Sequence, residues 1–244
     1  YIFMISTILC SVSIFYIYFV YLLSIVLVSI ISLFLIIQPD IGQTLLVVFS
    51  WVVLIFTSGV NIYLLFGLSI FAFISLAFLI MNVPKFDYIQ GRIFSFFNRD
   101  TGTHNFQSDK AIDSITSGGY FGKGIGEGNL KNRVPEEHTD YIISVISEEF
   151  GVVAIILILL LFLIFIYMVF KKINYENDDK IKLVLIGCVS LILMQATIHV
   201  GVNIRLFPTT GMTLPFLSYG GSSIVSISIL SGIILNLTKR KIEN

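Results

Sequence analysis

Long uncharged runs alternate with short polar segments along the chain, and this pattern predicts a series of membrane-spanning helices. A transmembrane helix needs about 20 apolar residues. The run 1–37 is too long for one such helix and tight for two, so both arrangements are kept open. Further candidate spans lie at 42–58, 61–82, 142–170, 183–203 and about 212–237. The pattern therefore predicts six or seven helices.

Composition supports a membrane protein. Hydrophobic residues make up 56% of the 244 residues and charged residues only 12%, against about 25% charged in soluble domains. We therefore expect an all-α, polytopic transmembrane helix bundle that forms one membrane domain over 1–244. The formal net charge of +0 gives no basis for nucleic-acid binding. Cys10 and Cys188 lie in apolar runs without metal-binding spacing, which is typical of small buried hydrophobic residues.

Loop charge predicts which side each polar segment faces. Lysines crowd the short loop 171–182, and basic residues crowd the tail 239–241. Two spans separate these clusters, so they share one side, and short basic loops are cytoplasmic. Counting back places the large loop 83–141 on the extracytoplasmic side, together with the turns 38–40 and 205–211. These three polar segments could therefore converge into one site.

The large loop contains two recognisable patterns. Apolar residues recur at helical spacing within 85–97, which predicts an amphipathic helix on the membrane surface, with contact to a lipid substrate as the functional alternative. The segment "SGGYFGKGIGEGN" (117–129) is neither a Walker A loop nor a GxGxxG turn after a strand. It is typical of a flexible, turn-rich loop. Alternatively, its backbone N–H groups and Lys123 approach a phosphate.

Acidic residues crowd the point where the loop meets the span at 142–170. Thr139 could cap this helix, and Asp140 would complement the positive end of its dipole. Asp140 could equally act as a general base at the membrane surface. Glu136 and His138 could tune its pKa or hold a cation, whereas Glu137 reads as a solvated loop charge.

Two predicted spans carry a polar stripe at every fourth residue. The stripes are Asp140, Ser144 and Glu148, and Gln195, His199 and Asn203. Because a carboxylate facing lipid is costly, we expect Glu148 or Glu149 to face the bundle interior. The second stripe favours hydrogen bonds between helices, and a lone His199 is a poor metal site. At its outer end Arg205 suits an anion, since a guanidinium binds phosphate through two parallel bonds.

The segment "PTTGMTLPFLSYGGSS" (208–223) combines prolines, glycines and hydroxyl groups where a span begins. Irregular backbone at membrane depth is tolerated only inside protein or along a cavity. It therefore marks a structured part of the bundle, with or without a catalytic role.

Taken together, "QPDIGQTLL", "SGGYFGKGIGEG", "VPEEHTDYIISVISEEFG" and "PTTGMTLPFLSYGGSS" resemble, in this order, the motifs of the SEDS family. These are the bacterial shape, elongation, division and sporulation proteins. The resemblance runs from about Gln38 to the C-terminus, while 1–37 is similar only in being hydrophobic. It is closer to the division branch than to the elongation branch. Thr210 stands where division-branch sequences often have lysine.

The resemblance implies a ten-helix inverting glycosyltransferase of the bacterial cytoplasmic membrane that polymerises lipid II into peptidoglycan strands. Three or four N-terminal helices would then be missing, which agrees with a chain that starts at Tyr1 without methionine. The implied catalytic residue is Asp140. The implied partners are a class B penicillin-binding protein, other division proteins and membrane lipids. No cofactor is certain, the metal requirement is unknown and a divalent cation is possible. The substrate-binding candidates are Arg205, Lys123, Glu136, His138, Gln38, Asp40, Ser218 and Tyr219.

Two other functions remain open from the residues alone. A flippase or transporter for the lipid-linked precursor would use the polar stripes as a pathway, but the chain has no clear internal repeat. A non-catalytic division scaffold would not need Asp140. Polymerisation of lipid II with and without Asp140 separates the three hypotheses.

Overall fold

The computed structural model describes residues 14–60, 81–82, 86–97, 104–128 and 138–239, with single positions at 63, 67, 70 and 74. These residues form helices and connecting turns, and no strand occurs among them. The all-α fold class predicted from the sequence is therefore confirmed for this part of the chain. Glu136, one of the predicted site residues, and Cys10 lie outside the described residues.

Seven helices follow one another along the described chain. They are α1 (Ile14–Ile37), α2 (Ile41–Thr57), α3 (Asp87–Phe97), α4 (His104–Gly118), α5 (Ile142–Tyr175), α6 (Asp179–Asn203) and α7 (Gly221–Thr238). Helix α3 confirms the amphipathic helix predicted in the large loop. Helix α4 was not predicted.

Four of these helices are long and apolar enough to cross a membrane: Phe19–Ile37 within α1, then α5, α6 and α7. Helix α2 is apolar but has only 17 residues. The predicted span 61–82 falls mostly outside the described residues. The last helix starts at Gly221 and not near 212 as predicted, because 211–220 forms turns around Pro215 and Ser218 that interrupt helical hydrogen bonding.

The contacts group into two compact units. One comprises 1–78, 166–194 and 226–244, and the other comprises 79–165 and 195–225. In the first unit, Val28, Leu54 and Leu183 form a buried apolar cluster, and Trp51 Nε1 donates to Ser24 Oγ at 3.3 Å. The prediction of a single domain over the whole chain stays a prediction.

The second unit has its own core and carries most of the predicted site. Its central cluster is Ile143 of α5, Ala196 of α6 and Leu214 of the irregular segment before α7. Packing Leu214 against two helices holds this irregular segment inside the protein, as expected for non-helical backbone in a membrane bundle.

Candidate functional site

Asp140 lies in a turn directly before α5, and hydrogen bonds from other segments fix the backbone of this turn. Three consecutive carbonyl oxygens accept hydrogen bonds from other segments. His138 O accepts from Tyr219 N at 2.9 Å, Thr139 O from Ser218 Oγ at 2.6 Å, and Asp140 O from Asn203 Nδ2 at 3.0 Å. Because all three bonds engage the main chain, they fix the backbone from which the Asp140 carboxylate projects.

The irregular segment before α7 supplies two of these donors. Ser218 also accepts from Leu214 N at 2.7 Å, so its hydroxyl joins this segment to the turn at 138–141. Gly211 of the same segment faces the catalytic candidate, since a Cβ added there would lie 3.5 Å from Asp140 Oδ2. Gly211 has a φ of +71°, in the left-handed region that favours glycine. The backbone at Gly211 therefore borders the carboxylate.

The polar stripe of α6 makes one hydrogen bond between helices, as predicted, to Ser223 of α7, and its other bonds go to the irregular segment and to the turn before α5. Gln195 Nε2 donates to Thr213 O at 3.0 Å and to Ser223 Oγ at 3.2 Å. His199 Nδ1 lies 2.6 Å from Met212 O. Asn203 Nδ2 bonds His199 O as well as Asp140 O, so one side chain links α6 to the candidate site.

Tyr141 shows how the surroundings of Asp140 act on a neighbouring group. It is buried, and burial raises the pKa of its phenol well above the usual value. The adjacent Asp140 charge raises this pKa further, while the Arg92 charge and the nearby Ser108 side chain lower it. The phenol is therefore neutral at physiological pH. Arg92 therefore lies close enough to the start of α5 for its charge to act on Tyr141.

Two arginines, Arg92 of α3 and Arg205 directly after α6, lie near the irregular segment that precedes α7. Arg92 of α3 donates through Nη1 to Thr209 O at 2.9 Å and through Nη2 to the Tyr88 hydroxyl. Arg205 pairs through Nη1 with Asp109 of α4. Arg92 Nε and Arg205 Nη2 are buried and have no hydrogen-bond partner among the described residues. Buried guanidinium donors without an acceptor are costly, so they favour an anion nearby.

The glycine-rich segment packs along a break in α5. Gly151 has φ 78° and ψ 179°, which is not helical, so the N–H groups of the next two residues leave the helix. Val152 N donates instead to Gly119 O at 3.0 Å, and Val153 N to Tyr120 O at 3.3 Å. The helix carbonyls released in this way are used as well. They accept from Lys123 N at 2.9 Å and from Gly124 N at 3.1 Å, at Glu148 O and Glu149 O respectively.

Lys123 is engaged by α5 through its side chain too. Its Nζ lies 3.4 Å from the carboxylate oxygen Oε1 of Glu148, which is fully buried. Glu148 therefore faces inward, as predicted, and Glu149 Oε1 accepts from Gly126 N at 3.1 Å. The contacts of Lys123 and of this loop account for a structural role. A phosphate contact by Lys123 stays a prediction.

The remaining predicted residues fall in different places. The His138 side chain is exposed beside Asp140, and the Tyr219 side chain is exposed while its amide holds the turn. Gln38 and Asp40 belong to the first unit. There Asp40 caps α2, accepting from Gln43 N at 2.9 Å. Substrate binding by these four residues remains a prediction.

Metal binding finds no ready set of ligands. No three His, Cys, Asp or Glu side chains gather in the described ranges closely enough to hold a metal ion. Cys188 is buried and free, as its apolar surroundings predicted. A divalent cation at the site stays a prediction.

Three features of the second unit that bear on the candidate site were not predicted from the sequence. Arg92 was not singled out within the predicted amphipathic helix, Asn203 was assigned to contacts between helices, and Gly151 was given no role. For Gly151 a signal was present, since glycine inside a long apolar helix is often kept for a backbone reason. For Arg92 no local pattern distinguishes a site residue from a solvated one.

Comparison with known proteins gives consistent similarities. The family profile described as cell cycle protein, for FtsW, RodA and SpoVE, matches residues 5–243. A probable peptidoglycan glycosyltransferase FtsW of Caulobacter vibrioides is 36% identical over 208 residues, covering 85% of this chain and 52% of the relative. Its counterpart in Geobacter metallireducens is 34% identical over 218 residues, covering 88% and 57%. The chain thus spans little more than half the length of these relatives.

Solved structures with the same fold cover almost the whole chain. One, from work on the structural coordination of polymerization and crosslinking by a peptidoglycan synthase complex, gives a TM-score of 0.75 at 24% identity, covering 96% of this chain and 66% of that one. A mutant of the rod shape determining protein RodA from Thermus thermophilus gives 0.60 at 24% identity, covering 92% and 58%. The predicted polytopic helical fold is therefore confirmed.

Proposed function

The chain belongs to the family of cell cycle proteins named for FtsW, RodA and SpoVE, and from this membership we propose that it polymerises lipid II into the glycan strands of peptidoglycan during cell division. The relatives named above as probable peptidoglycan glycosyltransferases support the activity. The name FtsW that these relatives share supports the division branch over the elongation branch.

One observation carries the proposal at the level of chemistry: Asp140 has its backbone carbonyl bonded by Asn203 while its carboxylate borders Gly211. A base that abstracts a proton must be held at one place, and the two preceding carbonyls are held in the same way. The fixed backbone supports this placement of the Asp140 side chain.

The proposed reaction is a single inverting displacement. Asp140 accepts the proton of a sugar hydroxyl on the acceptor, and that oxygen attacks the anomeric carbon of the donor disaccharide. The bond from this carbon to the pyrophosphate breaks, and polyprenyl pyrophosphate leaves with the electron pair. Because the donor is α-linked and the product β-linked, one base is enough and no covalent enzyme intermediate forms.

The leaving pyrophosphate needs positive charge, and the two arginines are the best-supported source. Each has a buried N–H group without a partner among the described residues. Arg92 forms no ion pair within the described ranges, and its charge reaches Tyr141, beside Asp140. Lys123 is less suited, since its ammonium already faces the buried Glu148 carboxylate. Arg92 and Arg205 would stabilise negative charge that grows as the bond breaks.

The direct test uses the full-length protein, purified with and without its proposed partner, a class B penicillin-binding protein, and supplied with lipid II in detergent or bilayers. Glycan strands are expected by gel electrophoresis. If lipid II crosses the bilayer but no strand forms, the protein is a flippase. If neither occurs with the partner present, a division scaffold is the better description, and the enzymatic proposal is wrong.

Replacing Arg92 by glutamine is expected to lower kcat/KM for lipid II by on the order of 10²-fold, as loss of one charge-stabilising donor does elsewhere. Arg92→Lys keeps the positive charge but loses the two parallel N–H donors of the guanidinium, so kcat/KM should fall less than in Arg92→Gln. The matched control is Lys110→Gln in α4, which removes an exposed cation paired with Asp113. Polymerisation by Arg92→Gln at the rate of the control would contradict the assignment.

We propose further that the protein lies in the bacterial cytoplasmic membrane with 83–141 outside. The charge of the loop 171–182 and of the tail supports this orientation. It puts Asp140, Arg92 and Arg205 on the side where cell wall is made. Alkaline phosphatase fusions in the large loop, compared with fusions in 171–182, measure the orientation directly.

A further inference from the structure

The exposed apolar tip of the glycine-rich loop has no place in the proposed reaction. Tyr120, Phe121 and Ile125 are 78%, 85% and 78% exposed, and apolar side chains exposed together are typical of a surface that contacts a membrane or another protein. They lie within one short loop, and the adjoining backbone is fixed. The loop thus presents three apolar side chains outward from a rigid base, and these three residues are called the loop tip below.

Hydrogen bonding sets the level of the loop tip along α5. Gly119 O and Tyr120 O accept from Val152 N and Val153 N, so the loop runs beside the first turn after the break at Gly151. Two more bonds, to Glu148 O and Glu149 O, hold Lys123 and Gly124 at the same level. The position of the loop along the helix is therefore determined to within about one turn.

The sequence of α5 defines where a membrane begins on this helix. Residues 150–170 are uncharged, with Glu148 and Glu149 before them and Lys171 and Lys172 after them. At 1.5 Å per residue this run is about 30 Å long, which matches the hydrocarbon thickness of a bilayer. In the most apolar stretch of α5, only 6% of the residues are buried within the protein. One edge of the hydrocarbon layer therefore falls at about Phe150.

The loop and the edge of the hydrocarbon layer lie at the same level along α5. From this we propose that the loop tip contacts the lipid bilayer at the boundary between headgroups and acyl chains. Lys123 is paired with Glu148, and Glu149 accepts from Gly126 N, so these charges are engaged between the loop and α5. Glu127, two residues beyond Ile125, is exposed. A carboxylate there fits the level of the headgroups and not the hydrocarbon layer. An aromatic ring with a polar end, such as that of Tyr120, is typical of this boundary.

The proposal goes beyond the polymerase activity and does not depend on it. The loop tip anchors the large loop 83–141 of the second unit to the membrane. This large loop carries α3 and α4. The break at Gly151 is what creates the anchor, because it frees the backbone groups that hold the loop against the helix.

Depth-dependent fluorescence quenching tests the placement. The chain has one tryptophan, Trp51, so a Trp51→Phe background allows a single probe at Phe121→Trp. Two control probes have similar exposure: Leu161→Trp at 64%, in the middle of the apolar run, and Tyr175→Trp at 77%, in the charged linker after Lys172. The proteins are reconstituted, as full chains, into vesicles of phosphatidylcholine brominated at different depths of the acyl chain.

The Phe121→Trp protein is expected to lose intensity most in lipid brominated near the headgroup, and the Leu161→Trp protein in lipid brominated near the chain end. Acrylamide in the water phase should quench Phe121→Trp several-fold less than Tyr175→Trp. Quenching of Phe121→Trp by acrylamide as strong as that of Tyr175→Trp would overturn the proposal. Protection from both quenchers would overturn it too, because protein and not lipid would then cover the tip.

Discussion

Replacing Asp140 with asparagine is expected to reduce lipid II polymerisation by about 10²- to 10⁴-fold, the contribution of a positioned general base. Asparagine has nearly the same shape but cannot take up the proton of the acceptor hydroxyl. The three bonds that fix the turn go to the carbonyl oxygens of residues 138–140, so the substitution leaves them in place. Expression, membrane insertion and thermal unfolding should therefore stay close to those of the unmodified protein.

Measuring stability and rate separately decides whether Asp140 acts as the general base or only stabilises the start of α5. If the carboxylate served only the positive end of the α5 dipole, its neutralisation would cost about 0.3–1 kcal/mol of stability and leave the rate unchanged. Asp113→Asn is the matched control, since Asp113 is an exposed acid of α4 paired with Lys110. Strand synthesis by the Asp140 variant within a few-fold of this control would rule out the base assignment.

Much of the fold could be predicted because each helix is encoded locally. Apolar runs of the right length end at charges or prolines, and α5 and α6 start and end within about five residues of their predicted limits. The family predicted from four motifs is confirmed by the matching profile. The predicted start of the last span was wrong, because Met212 and Leu214 are buried without being helical, and Leu214 packs against α5 and α6.

The site was less predictable, since its contacts join residues far apart in sequence. Asn203 reaches Asp140 across 63 positions, and Arg92 reaches Thr209 across 117. A helical stripe shows that Asn203 faces inward but not which backbone atom it meets. For Lys123, glycine neighbours suggested a phosphate ligand, and the sequence did not show that its amide and its ammonium both bond to α5.

The second large effect is expected at Gly151, whose replacement by alanine should lower the free energy of unfolding by roughly 3 kcal/mol. A φ of 78° with a ψ of 179° belongs to a region that is essentially restricted to glycine. Moreover, an added Cβ would run into the Tyr120 carbonyl and lie 2.6 Å from Gly122 N. Alanine would favour a continuous α5, and the four hydrogen bonds to the loop would then be lost.

Thermal unfolding in detergent, with the Gly232→Ala protein as control, measures this effect. Gly232 lies exposed within α7 with nothing within 4 Å of an added Cβ, so alanine there should raise stability by up to about 1 kcal/mol. If Gly151→Ala lowers the melting temperature and Gly232→Ala raises it, the backbone conformation at Gly151 is responsible for the loss, because the chemical change is the same in both proteins. The Gly151→Ala protein should also expose Phe121→Trp to acrylamide, because a loop released from α5 loses its fixed level. An unchanged melting temperature for Gly151→Ala would contradict the break in α5 on which the loop depends.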